Sequence, residues 1–226
     1  MESASPQANT RRRLRSKGTI RRRLTLNNSL VKINTDAIGA ILAPIYNDLP
    51  KTTAAGDHNL TYGEIEWPTL KLMVEHAQMA TPSGRFYDLG CGRGRAVLYM
   101  ALSGLFTHSV GIEVLPERLA LVQQALQKLR LSIPAAGAKV KLYEASFLNP
   151  SFKYKDAKMV FVSNMCFDNE TQHALFNKLN LEMPKGSLAF CSRVPTPLPA
   201  AFELVSTERV PMTWTPTSEI HILRHL

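Results

Sequence analysis

An aspartate, three glycines and a glutamate are the residues of this chain best placed to do chemistry. Asp88 ends a short apolar run, Gly90, Gly92 and Gly94 follow at once, and Glu113 lies at the tip of a second β-like run, 109–114. Glycines at that spacing let the chain turn tightly and let a ligand lie against bare backbone. An acid about 20 residues further on can accept both hydroxyls of a ribose. No Lys-Ser or Lys-Thr follows the glycines, which excludes a phosphate-cradling P-loop. On these residues alone a nicotinamide- or flavin-binding turn stays open, as does a glycine turn that holds no ligand.

The elements that must position these residues alternate. A helix opens at Pro68 and runs to Ala80, with Leu70, Met73, Val74 and Ala77 as its apolar face; a proline loses nothing in a first helical turn. The strand ending at Asp88 is followed by a helix over 94–103, a strand over 109–114, a helix over 116–131 and strands over 140–145 and 157–164. A helix over 169–181, a strand over 187–194 and β-like runs over 202–211 and 220–225 complete the pattern. The stretch 49–60 is polar and turn-forming and reads as a loop. Such alternation implies a mostly parallel sheet covered by helices on both faces, with a terminal antiparallel strand pair. Ligands in such sheets sit beyond the carboxyl ends of the strands. That places Asp88, Glu113, Ser146, Phe147 and Asn164 on one rim. The form Asp-Leu-Gly-Cys-Gly-x-Gly resembles motif I of the Rossmann-like class I methyltransferases, which implies S-adenosylmethionine as cofactor.

Composition bounds the rest. The chain has 226 residues, 45% hydrophobic and 20% charged, enough for one substantial core. No apolar run approaches a membrane span, and the polar, arginine-rich start does not read as a signal peptide. Three cysteines without ligand spacing (Cys91, Cys166, Cys191) and six histidines, of which only His221 and His225 are four apart and those within a β-like run, point to a reduced compartment and no metal. The net charge of +9 is concentrated at the start: residues 1–32 hold nine Lys/Arg and one acid, leaving 18 basic against 17 acidic residues elsewhere. Such a segment cannot bury enough surface to fold alone and should seek phosphates; nuclear import and a mitochondrial presequence are the other readings. The chain therefore divides into a disordered basic tail (1–32), a helical lead-in with a cofactor-covering loop (33–84) and a catalytic domain (85–226).

Two further segments narrow the class. Thr61-Tyr62-Gly63-Glu64 precedes motif I, and Val160-Phe161-Val162-Ser163-Asn164-Met165-Cys166-Phe167 ends the fourth strand. With motif I they resemble the disruptor-of-telomeric-silencing family, non-SET histone lysine methyltransferases that act on a core histone within the nucleosome. The resemblance runs from about Ile45 to about His225. It implies that Tyr62, Glu64 and Ile65 fold over the methionine end of the cofactor, lined by Asp88, Gly90, Cys91, Gly92 and Arg95. Glu113 would hold the ribose, Ser146 and Phe147 the adenine. Ser163, Asn164 and Phe167 would border the methyl-transfer channel, and Trp214 and Tyr62 would help wall the lysine pocket, with Asn164 orienting the amine. The chain departs from the family pattern in four ways: Ser146 stands where an acid is usual, Ser163 where the first of two asparagines is usual, Ile220–His221 around where a late Tyr pair is usual, and the helical lobe before the Tyr-Gly-Glu loop is shorter. The resemblance further implies nuclear localisation and a nucleosomal partner whose DNA meets the basic tail. A methyltransferase of RNA or of a non-histone protein lysine is the alternative, and a binding module that has kept the fold without the activity is a third. The fourth strand lacks the Asn/Asp-Pro-Pro-aromatic element of the commonest DNA-base and glutamine chemistries.

Overall fold

The structure, a computed structural model, describes residues 34–52, 58–61, 63–78 and 84–226. The basic tail and Tyr62 therefore lie outside the described residues. Seven strands form one sheet: β1 Arg85–Leu89, β2 His108–Glu113, β3 Val140–Glu144, β4 Ala157–Val162, β5 Leu188–Cys191, β6 Phe202–Met212 and β7 Thr215–His225. Their order is β3-β2-β1-β4-β5-β7-β6. The first five are parallel, and β7 runs antiparallel to both β5 and β6. The chain leaves β1 toward β2 on one side and later returns to β4 on the other. The crevice at that reversal is where ligands bind in open α/β sheets.

Helices α1 (Thr35–Asn47), α2 (Trp67–His76), α3 (Arg95–Ser103) and α4 (Pro116–Ser132) cover one face. Their apolar residues join Phe86, Met159, Phe161 and Phe190 in one cluster. On the other face, α6 (Asn169–Glu182) and Tyr154 pack on Tyr87, Leu89, Val110, Ile112 and Val160. A four-residue helix α5 (Pro134–Gly137), not expected from the sequence, links α4 to β3. The helix starts follow local chemistry. Pro116 occupies the first turn of α4, with Glu117 beside it and Arg130 in the last turn, matching the helix dipole at both ends. Asp168 caps α6 by accepting the Thr171 N–H at 2.7 Å.

The β6–β7 hairpin is longer than its sequence suggests, because β7 begins at Thr215 rather than Ile220. Its outer part alternates polar residues and has no apolar face to betray it. Backbone pairing with β6 builds it, and it carries the 213–214 turn up to the loop before α2.

Candidate functional site

The glycine turn leaves β1 in left-handed conformations, with φ of 85°, 53° and 75° at Gly90, Gly92 and Gly94. A side chain on Gly90 would meet nothing within 4 Å, so this position looks into open space. One on Gly94 would strike Val122 of α4. The first glycine thus bares backbone to a ligand, while the third allows α3 and α4 to approach. The N–H groups of Gly90 and Cys91 donate to the Ile112 carbonyl at 2.9 and 3.0 Å. The buried Cys91 side chain packs on Gly111, where a Cβ would lie 2.8 Å from its sulfur. Cys91 is therefore a space-filling residue of the turn, and burial, then the charges of Asp88 and Glu113, hold its thiol well above the usual value.

Glu113 ends β2 almost fully buried and braces the turn. One carboxylate oxygen accepts the Gly92 N–H at 2.8 Å, and the other accepts those of Val114 and Leu115, both at 3.0 Å. Asp88 is equally buried, yet its carboxylate accepts no hydrogen bond from the described residues. Burial first, and the Glu113 charge second, hold its carboxyl well above the usual carboxylate range.

Both acids line a cleft of about 250 Å³ beyond the carboxyl ends of β1, β2 and β4. Its far wall holds Ser146 and Phe147, after β3, and Ser163 and Phe167, after β4. The Phe147 and Phe167 rings stack 5.6 Å apart. The Ser146 hydroxyl accepts the Leu148 N–H at 3.2 Å and shapes the loop.

A strap formed by residues 58–61 and 63–66 bounds the cleft and is fastened along its length. Asn59 donates to the Asp168 carboxylate at 2.8 Å and accepts the Asp168 N–H at 2.7 Å. Arg118 of α4, itself buried, donates to the Leu60 carbonyl at 2.6 Å. Glu64 and Thr213 exchange hydrogen bonds, and Ile65 bridges to Met212. The Glu64 carboxylate lies 3.0 Å from Arg93 Nη1 and 3.1 Å from Arg95 Nε. Arg93 is 6% exposed and donates also to the carbonyls of Tyr46 and Leu49, beneath a cation–π contact with Tyr46. Arg93, Arg118 and Asn59 were missed in the sequence reading. The only signal for Arg93 was a charge wedged between two glycines, which reads equally well as a solvated turn residue.

The structure thus brings Glu64, Ile65, Asp88, Gly90, Cys91, Gly92, Arg95, Glu113, Ser146, Phe147, Ser163 and Phe167 to one cleft. Two expected residues are placed otherwise. Asn164 is fully buried, and its amide is spent: the oxygen accepts the N–H groups of Ser192 and Arg193, and the nitrogen donates to Gln172 and to the Arg193 carbonyl. Two acceptor and two donor positions are all that an amide has, so Asn164 ties β4, β5 and α6 together and has nothing left to orient an amine. Trp214, 42% exposed, is not on the cleft wall; its ring lies against Gly63, leaving no room for a side chain there. It presses on the strap from the hairpin tip.

Strand order, glycine turn and cleft define a Rossmann-like class I methyltransferase fold. Solved structures share it. A candidate RNA methyltransferase from Pyrococcus horikoshii superposes with a TM-score of 0.60 at 12% identity, covering 84% of this chain and 99% of the other. A candidate methyltransferase, YhhF, from Escherichia coli gives 0.54 at 13% over 78% and 89%. TrmN from Thermus thermophilus gives 0.54 at 17% over 70% and 48%. Within that class the chain belongs to the DOT1 histone methylation family, whose model matches residues 42–198, in agreement with the resemblance of its motifs. It is also 26% identical over 117 residues to the H3 lysine-79-specific histone-lysine N-methyltransferase of Dictyostelium discoideum. That match covers 49% of this chain and 6% of the relative's length.

Proposed function

We propose that this protein is an S-adenosylmethionine-dependent lysine N-methyltransferase that acts on a core histone within nucleosomes, in the nucleus. Membership of the histone methylation family, matched across 42–198, carries the reading. The cleft residues fit the cofactor. Gly90 leaves the space that a side chain would take, and Asp88 is a buried carboxylate lacking a donor. In this reading the bare turn from Gly90 to Gly92 receives the methionine part, and Asp88 takes its ammonium. Glu64, Ile65 and Arg95 close over it with Tyr62. Glu113 holds the ribose hydroxyls through the oxygen that accepts one N–H rather than two. Phe147, beside Ser146, stacks on the adenine. When bound, the cofactor supplies an electrophilic methyl on a sulfonium.

The protein's part is alignment. Displacement at a methyl group needs the nucleophile held in line more than a strong acid or base. A lysine of pKa about 10.4 is roughly 3.4 units from neutral at pH 7, a cost of about 4.6 kcal/mol. An apolar approach disfavours the ammonium and lowers that cost; Phe167, next to Ser163 on the cleft wall, offers one. The basic tail, residues 1–32, would contact nucleosomal DNA.

The test is methyl transfer from radiolabelled cofactor to reconstituted nucleosomes. Wild type should label a core histone. Glu113→Ala should weaken cofactor binding at least about 100-fold, from two lost charge-assisted hydrogen bonds at about 1.5 kcal/mol or more each. Label entering free RNA and not chromatin would replace this reading with an RNA methyltransferase.

A further inference from the structure

The N-terminal ends of the central strands, on the side opposite the cleft, carry a row of basic side chains that methyl transfer does not use. Lys139 immediately precedes β3, His108 and Arg85 open β2 and β1, and Lys158 is the second residue of β4; the four strands are neighbours in that order. Arg85 stands in register with His108, and the Lys139 carbonyl accepts the Ser109 N–H. With strands about 4.8 Å apart, the row spans roughly 14 Å. Arg85 is paired with Asp156 at 3.0 Å. Lys139, Lys141 and Lys158 have no carboxylate within 4.0 Å among the described residues. Their field is felt locally: the His108 imidazole is held below its ordinary value by burial and then by Lys141, Arg85 and Lys139, against Asp156.

The row turns up the open edge of the sheet along β3. Lys141 and Tyr143 are in register with Val110 and Ile112, so both stand on the face that α6 covers further in, at its uncovered margin. Tyr143 is 40% exposed, with its ring set edge-on to Phe152 at 5.2 Å. Lysines two residues apart, followed at the next alternate position by an exposed aromatic ring, suit a phosphate chain whose bases are free to stack. A duplex keeps its bases inside and has no use for the ring. An acidic peptide would use the lysines but not the ring.

We propose that Lys139, Lys141 and Tyr143 on the β3 edge, flanked by Lys158, form a binding surface for single-stranded nucleic acid, with phosphates on the lysines and a base on Tyr143. None of these residues lines the cleft, so the surface stands independently of the methyl-transfer reading.

The experiment is fluorescence anisotropy on the full chain with labelled oligothymidylate, oligouridylate and duplex DNA across a salt series. Lys139→Ala/Lys141→Ala should reduce the slope of log affinity against log salt by about 1.4 on single strands, two phosphate contacts at about 0.7 each. Tyr143→Ala should lower single-strand affinity about fivefold or more and leave duplex affinity, which reports the basic tail, within about twofold; Tyr143→Phe should restore binding. Tighter binding of the oligouridylate would assign the surface to RNA, and of the oligothymidylate to unwound DNA. An unchanged slope in the double variant would overturn the proposal. So would a Tyr143→Ala loss that is absent, or equal on duplex and single strand.

Discussion

Removing the Arg93 guanidinium should loosen the strap and the whole N-terminal side at once. Its Nη1 holds Glu64 of the strap at 3.0 Å, and its Nη2 holds the carbonyls of Tyr46 and Leu49, at and just beyond the end of α1, at 3.1 and 3.4 Å. The Tyr46 hydroxyl returns a bond to the Arg93 carbonyl at 3.1 Å. Arg93→Met keeps most of the side-chain volume but removes one of the two arginines that pair with Glu64, whose side chain is 10% exposed. Breaking a buried ion pair by removing one partner costs about 3–5 kcal/mol. At about 2–4 °C per kcal/mol for a protein of this size, the melting temperature should fall by roughly 6–20 °C. Arg93→Lys should recover part of the loss, because a single ammonium keeps the charge but lacks the fork that spans a carboxylate and two carbonyls. Thermal melts of the ligand-free protein measure this. A shift of less than about 2 °C for Arg93→Met would refute the account of Arg93 as the pin between strap, glycine turn and α1.

Three other outcomes follow from the same geometry. Gly94 and Gly104 have nearly the same φ, 75° and 73°, but a Cβ on Gly94 would lie 2.5 Å from Val122 and one on Gly104 would meet nothing; both alanine variants should lose about 1–2 kcal/mol to strain and Gly94→Ala about 1–3 kcal/mol more to overpacking, and equal denaturation midpoints would contradict this. The raised Asp88 carboxyl keeps a proton that the unfolded chain releases, so its contribution to stability is complete below about pH 3.9 and is lost as pH rises toward the folded value. Asp88→Asn should therefore gain on wild type with increasing pH, by up to about 1.4 kcal/mol per unit, in urea titrations of the ligand-free protein; a difference that does not vary with pH would count against it. Cys91 and Cys191 are buried, with burial raising both thiols, Cys191 to about 12, so iodoacetamide should modify Cys166 alone in the folded protein, and mass spectrometry finding Cys91 labelled as fast as Cys166 would be the contrary result.

Much of this protein was legible in its sequence because the signals are local. A strand that ends in an acid, glycines that turn left-handed and a carboxylate after the next strand all lie within 85–113, and motif spacing reports them directly. Periodicity likewise found α2, α3, α4, α6 and the first five strands to within about four residues, α2 ending at His76 rather than Ala80. The outer half of β7 was hidden, since its residues are polar on both faces, the buried Ser218 included, and leave no hydropathy alternation to read.

What only the tertiary structure decided is which atoms remain free. Asn164 had the right type at the right strand end, yet Gln172, Ser192 and Arg193 use every hydrogen-bonding position of its amide. Trp214 was expected in a pocket wall and instead backs Gly63 of the strap. Arg93 had no motif at all and became the pin that joins segments 44 and 29 residues away. Residue type and spacing determine what a side chain is able to do, whereas the partners that satisfy or strand it come from remote parts of the chain and are set by packing.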